Sequence, residues 1–133
     1  MALNITVQAG GAVPIYRQII DQVRQGMVAG ELREGDALPS VRALAEQLVV
    51  NPNTVARAYA DLIRDGALES QPGKGVLVGR RRQVFTKTER MRRLEATLAA
   101  FVNEALYLGF EADEIRAAVE RRVGELTKSS VAR

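Results

Sequence analysis

The side chains best placed to do chemistry in this chain are hydrogen-bond donors and acceptors set at helical spacing. Asn53 and Thr54 fall in the first turn of one helical pattern, and Arg57 lies one turn further along. Asn can bond an adenine edge in bidentate fashion, Arg does the same to guanine, and Thr takes a base edge or a phosphate. Arg42 stands in the first turn of the preceding pattern, just after Ser40. Backbone N–H groups and the helix dipole attract a phosphate there, and a guanidinium adds a bidentate clamp. Lys74 is held between Gly73 and Gly75 at a hairpin tip, within reach of a phosphate or a minor groove, and Gly73 lets backbone come close. Each has a plainer reading when taken singly. Asn53 and Thr54 could only cap a helix, Arg42 could pair with Glu46 at i+4, and Lys74 could be a solvated turn residue. Arg57 faces away from the Val55, Tyr59, Leu62 stripe, so no core role is expected of it. Together these residues predict a surface for duplex DNA.

The elements that must carry them are legible from caps and periodicity. Residues 3–7, LNITV, could form an edge strand or a flexible arm. Pro14 opens a helix in which Ile15, Ile19, Ile20, Val23 and Met27 recur at helical spacing, and Gly30 ends it. After a turn, ELREGDALPS, Ser40 caps a helix through Leu48 with Val41, Leu44, Ala45 and Leu48 inward. Asn51 and Pro52 start the next helix, Val55, Ala58, Tyr59, Leu62 and Ile63 form its apolar face, and Gly66 stops it. Two helices of about a dozen residues joined by a short turn match a helix-turn-helix. Ala67–Gln71 and Val76–Val78 read as strands around a Pro72-Gly73-Lys74-Gly75 turn. This hairpin is the wing.

The final third reads as a separate unit. Met91, Leu94, Leu98, Phe101, Ala105 and Leu108 repeat with spacings 3, 4, 3, 4, 3, an a/d seam. Gly109 breaks the pattern, and Ile115, Val119, Val123 and Leu126 mark a second helix. Two such helices cannot close a core alone. A copy of the hairpin would complete a four-helix bundle, so these residues, Ile115 and Val119 included, are expected to make a dimer. The competing reading is a monomer whose tail folds back on the first helix. TKSSVAR at the end is expected to fray.

Composition narrows the classes. The chain has 133 residues, 47% of them hydrophobic, with no cysteine and no histidine. That removes disulfides, thiolate chemistry, and the commonest zinc ligand and general base. No apolar run reaches the roughly 18 residues of a membrane span, and MALNITVQAGGAVP lacks the features of a signal peptide. A cytoplasmic protein with no membrane partner and no cofactor is expected. Net charge is only +3, but between Arg80 and Arg93 seven basic residues (Arg80, Arg81, Arg82, Lys87, Arg90, Arg92, Arg93) face one acid, Glu89. Following the wing directly, this run reads as a basic collar beside a phosphate backbone, with a solvated linker as the plainer reading.

Residues 14–78 resemble the GntR-family winged helix-turn-helix, through GDALPSVRALAEQL, NPNTVARAY and DGALESQPGKGVLV in the family's order and spacing. The short two-helix tail resembles the YtrA subfamily. The resemblance implies a bacterial homodimeric transcription factor, usually a repressor, often of transporter genes. It carries DNA contacts onto Arg42, Asn53, Thr54 and Arg57, and the wing glycine onto Gly73. Fatty-acid-responsive members carry arginines where Pro52 and Ala56 stand here, so their base-reading pattern does not transfer. Larger subfamilies carry an effector domain, sometimes with a histidine-bound metal. With only residues 79–133 beyond the wing and no histidine, neither is expected.

The expected fold is therefore mainly α with a small β-hairpin: a winged helix-turn-helix over residues 1–80 and a basic linker with a two-helix dimerisation or regulatory tail over 81–133. Ser40, Arg42, Asn53, Thr54, Arg57, Gly73, Lys74 and Arg80 are the expected DNA contacts, and the partners are double-stranded DNA and a second copy, with room for an unidentified small-molecule effector. A protein-interaction module, with the winged domain as scaffold, is the alternative. An enzyme is not expected, because no P-loop, nucleophile elbow or metal-ligand cluster occurs.

Overall fold

Three of the helices begin where a side-chain oxygen satisfies an open backbone N–H. The computed structural model describes residues 4–80 and 84–131, with side chains to Thr127. In chain order the elements are helices α1 (Ile15–Val28), α2 (Val41–Leu48) and α3 (Pro52–Arg64), strands β1 (Leu68–Gln71) and β2 (Gly75–Val78), and helices α4 (Lys87–Tyr107) and α5 (Ala112–Val131). Ser40 Oγ accepts from the Ala43 N–H, Asn51 Oδ1 from Asn53 and Thr86 Oγ1 from Glu89, the side-chain capping that removes orphan donors. Gly66, with φ +83°, ends α3, where the Ala67 N–H returns to the Leu62 carbonyl. The fold is the mainly helical one expected, with its two-stranded hairpin.

The core lies where α3 crosses α1 and α2. Ile19, Ile20 and Val23 from α1, Leu44 and Ala45 from α2, and Val55, Ala58, Tyr59 and Leu62 from α3 are buried together with Leu68 and Val78 of the hairpin. Each large aliphatic so buried contributes about 1.5–3 kcal/mol. α2 runs from its Ser40 cap through Leu48 as expected, eight residues whose inward stripe needs only two turns.

Three segments depart from the sequence reading. Residues 4–8 form neither an edge strand nor a loose arm. Ile5 is buried, and two glutamines one turn apart on α1 hold the segment by its backbone. Gln22 Oε1 accepts from the Thr6 N–H at 3.0 Å while its Nε2 donates to the Thr6 carbonyl, and Gln18 makes the same pair with Gln8 at 2.9 and 3.0 Å. The amide side chains imitate a strand partner. The segment read as a turn before α2 also pairs. Ala37 bridges Leu77 on the free edge of β2, and Leu38 N–H donates to the Val76 carbonyl. Finally, α5 continues through Val131, into the stretch expected to fray.

The tail is only partly separate from the head. α5 returns to touch α1 as well as α4. It leaves the α4 seam uncovered: Met91, Leu94, Leu98, Phe101 and Leu108 are 41–63% exposed, and Ala105 alone is buried.

Val49 closes α2 in the left-handed conformation, with φ 57° and ψ 52°, and the residue is 89% exposed. A β-branched residue there is strained by about 1–2 kcal/mol, and almost no apolar burial offsets it. Glycine removes the strain but adds about 0.5–1 kcal/mol of unfolded-state entropy. Val49→Gly is therefore expected to stabilise the fold by about 0.5–1 kcal/mol in chemical denaturation. A loss of stability would mean that Val49 holds the turn by a contact.

Candidate nucleic-acid interface

The start of α3 is shaped by its own cap. Asn51 Oδ1 takes the Asn53 N–H at 2.8 Å, and Pro52 occupies the first helical position, where it has no N–H to satisfy. Capping therefore falls to Asn51, which leaves the side chains of Asn53 and Thr54 without a capping duty. Asn53 is exposed and Thr54 half-buried. The angle between α2 and α3 is fixed from below by Tyr59. Its hydroxyl donates to the Pro39 carbonyl at 2.7 Å, and burial pushes its pKa up to about 12. One hydrogen bond thus ties the body of α3 to the entrance of α2.

Arg42 comes to the same place from α2. It lines a shallow groove with Glu46, Val49, Asn51 and Pro52, so the first turn of α2 and the start of α3 form one surface. The Arg42–Glu46 ion pair of the plainer reading does not form, leaving the guanidinium of Arg42 unpaired among the described residues. The spacing allows the pair, but an exposed pair gains too little to hold two long side chains together. Ser40 has its oxygen engaged as acceptor by Ala43, with its hydroxyl proton still available.

Arg57 makes a contact that its spacing does not announce. It is exposed, as expected of a residue off the core stripe, but it is not idle: its guanidinium carbon lies 3.8 Å from the centroid of the Tyr16 ring in α1. The opposite end of α3 is electrostatically closed. Arg64 pairs with Asp61, and Asp65 pairs with Arg24 at 2.8 Å. Donors without partners therefore gather at the N-terminal half of the helix.

The wing places Gly73 and Lys74 at its tip. Leu68 pairs with Val78 and Gln71 with Gly75, and the Lys74 N–H donates to the Gln71 carbonyl at 3.0 Å. Pro72 followed by Gly73 at φ +81° gives the turn the geometry of type II. Within the chain, Gly73 is required by its backbone angle and not by crowding, since a Cβ there would meet no other atom of the protein. Lys74 is exposed and has no ion pair among the described residues. Arg80 is less free than expected, with Glu34 3.8 Å away.

The basic run is weaker than its composition implies. Glu89 accepts from Arg92 and Arg93 together, and Arg93 also stacks on Phe85 at 3.8 Å. The Arg92 hydrogen bond, then Arg93, holds the Glu89 carboxyl below the usual carboxylate range. That support for the first turn of α4 is present above the ordinary carboxylate pKa and is lost as pH falls through the depressed one. Lys87 and Arg90 remain unpaired among the described residues, and Arg81 and Arg82 lie outside them.

The seam residues divide in two. Phe101, Ala105, Leu108 and Ile115 line one groove between α4 and α5, whereas Met91, Leu94 and Leu98 continue along α4 on its exposed side. Val119 stands exposed on α5. Sequence reading did not find the Tyr16 stack, the double hold of Glu89, or the linker seat in which Val84 closes over Gly66. A Cβ on Gly66 would come within 2.8 Å of Val84 Cγ1. The Glu89 spacings to i+3 and i+4 were a usable signal; the other two have no local signature. No helix among the described residues is long and apolar enough to cross a membrane.

Comparison with known proteins places this geometry. The model for bacterial regulatory proteins of the gntR family matches residues 15–78. The chain is 33% identical over 111 residues to the HTH-type transcriptional repressor YtrA of Bacillus subtilis (strain 168), covering 84% of this chain and 85% of that one. Among solved structures, a transcriptional antiterminator from Listeria monocytogenes EGD-e is similar with a TM-score of 0.79 at 27% identity, over 90% of each chain. YtrA from Sulfolobus acidocaldarius, a GntR-family transcription factor, is similar with a TM-score of 0.55 at 33% identity, over 74% of this chain and 97% of that one.

Proposed function

The chain belongs to the gntR family of bacterial regulatory proteins, and from that premise we propose that it is a homodimeric transcriptional repressor binding a palindromic operator in double-stranded DNA. The observation that carries the reading is the N-terminal half of α3, where Asn51 does the capping in place of Asn53 and Thr54, Arg57 makes no ion pair among the described residues, and the unpaired Arg42 lies beside the helix start. A helix presenting such an end enters a major groove, with Asn and Arg bonding base edges and Arg42 and Ser40 taking phosphate. Lys74 and Gly73 reach the flanking backbone from the wing, and Arg80 adds a weaker contact. The repressor name of the Bacillus subtilis relative, matched over most of both chains, supports the sign of regulation.

Dimerisation uses the uncovered apolar face of α4 and α5. Its two-fold axis matches that of the operator, with half-sites about one turn, roughly 34 Å, apart. Bound there, the dimer occludes transcription, and an effector acts by changing the tail or the spacing of the two wings. The test is binding of the purified protein to its own upstream intergenic DNA against a scrambled duplex of equal length, across a salt series. Preference for the upstream fragment with a steep loss as salt rises is the expected result. Equal binding to both overturns self-regulation, and no binding at low salt overturns the DNA-binding reading itself.

A further inference from the structure

We propose that Tyr16 is a positioning residue for base readout, holding the guanidinium of Arg57 from α1; the inference rests on the reading of α3 as the recognition helix. Tyr16 is in the first turn of α1, half-buried and packed against the core. Its ring is therefore a fixed platform. Arg57 lies over that ring at 3.8 Å, is itself exposed, and makes no ion pair or side-chain hydrogen bond among the described residues. A guanidinium stacks by its flat face and bonds by its edge. The ring thus occupies only the part of Arg57 that base readout does not need.

The consequence is entropic. A free arginine loses its rotamer freedom when it meets a guanine edge. Arg57 is already restrained, at the far end of its side chain and by a contact from another helix. The second stack in the described structure makes the contrast. Arg93 lies over Phe85 at the same distance, but Glu89 occupies its edge. Among the stacked arginines, Arg57 alone keeps its donors free.

The experiment uses the full chain and a random duplex library, from which bound sequences are selected in vitro and counted. Wild type, Tyr16→Phe, Tyr16→Leu, Arg57→Ala and the Tyr16→Leu/Arg57→Ala double variant are compared, with Tyr16→Met as a second ring-free variant should Tyr16→Leu fail to fold. Phenylalanine keeps the π face and is expected to retain the wild-type preference. The ring-free variants are expected to lose about two- to fivefold of selectivity, the equivalent of an exposed cation–π contact. The loss falls at the one base pair that Arg57→Ala relaxes, with binding to random duplex unchanged and no further loss in the double variant. In the free protein, the Arg57 Nε–H resonance shifts in the ring-free variants and stays put in Tyr16→Phe. Unaltered selectivity, a loss spread over all positions, a gain, or full additivity with Arg57→Ala overturns the proposal. A wild type that enriches no sequence overturns the recognition-helix reading, and the proposal with it.

Discussion

Replacing Leu98 and Phe101 together by serine is expected to turn the protein into a monomer whose operator affinity falls by about 10²–10⁴. Both residues are apolar and close to half exposed, at 47% and 41%, and they lie one helical turn apart on the same face of α4. An apolar row of this kind, continued by Met91 and Leu94, is unusual on a surface facing only water. Neither residue belongs to the buried core of the head. The substitutions should therefore leave the winged domain folded and act on the tail, at the partner face and, through Phe101, in the groove between α4 and α5. Loss of the partner turns one bivalent engagement into two independent half-site bindings, and the effective concentration of the second head disappears. Sedimentation equilibrium reads the assembly, and titration of a full palindrome against a single half-site reads its consequence. A variant that still sediments as a dimer overturns the seam as the interface. A variant that is monomeric yet binds the palindrome undiminished overturns the bivalent mechanism.

What the sequence disclosed and what it withheld divide along a physical line. Ser40, Asn51, Pro52 and Gly66 announced the ends of α2 and α3 because capping acts within a few residues. The Pro72-Gly73-Lys74-Gly75 turn announced the hairpin for the same reason. The a/d spacing of α4 was visible because helical period is local. Contacts made across the fold left no such trace. Tyr16 and Arg57 are 41 positions apart and meet only because α1 and α3 cross. The clamp of Gln18 and Gln22 on residues 6 and 8 requires knowing that the N-terminal segment runs along α1. The pairing of Ala37 with Leu77 was hidden because three residues are too few to show alternation. Val49 was obscured differently: the turn between α2 and α3 was expected, but a valine gives no warning of a left-handed backbone. Of the candidate site, the residue types and their elements were legible. Which cations are free and which are engaged was not, since that depends on Glu34, Glu89 and Tyr16 arriving from elsewhere or from the next turn.

Arg57→Ala is expected to cost about 1–3 kcal/mol on the specific operator, a loss of about five- to 150-fold, and to relax selectivity at one base pair. The estimate follows from the side chain's position one turn beyond the helix start and from its free edge, which suits bidentate bonding to guanine. Stability should fall by no more than the stack on Tyr16 contributes, about 0.5–1 kcal/mol, because the Arg57 side chain is exposed and has no ion pair among the described residues to break. Equilibrium titration on the operator, on single-base variants of it and on random duplex separates the two roles an arginine can play. A base reader loses affinity on the operator and keeps it on random DNA, with the salt slope unchanged. A phosphate contact loses affinity uniformly and lowers the salt slope by about one. Arg42→Ala supplies the internal comparison, since its place in the first turn of α2 assigns it to phosphate. Opposite behaviour of the two variants is the expected outcome. If both weaken every sequence alike, base reading passes to Asn53 and Thr54, the remaining hydrogen-bonding side chains at the start of α3.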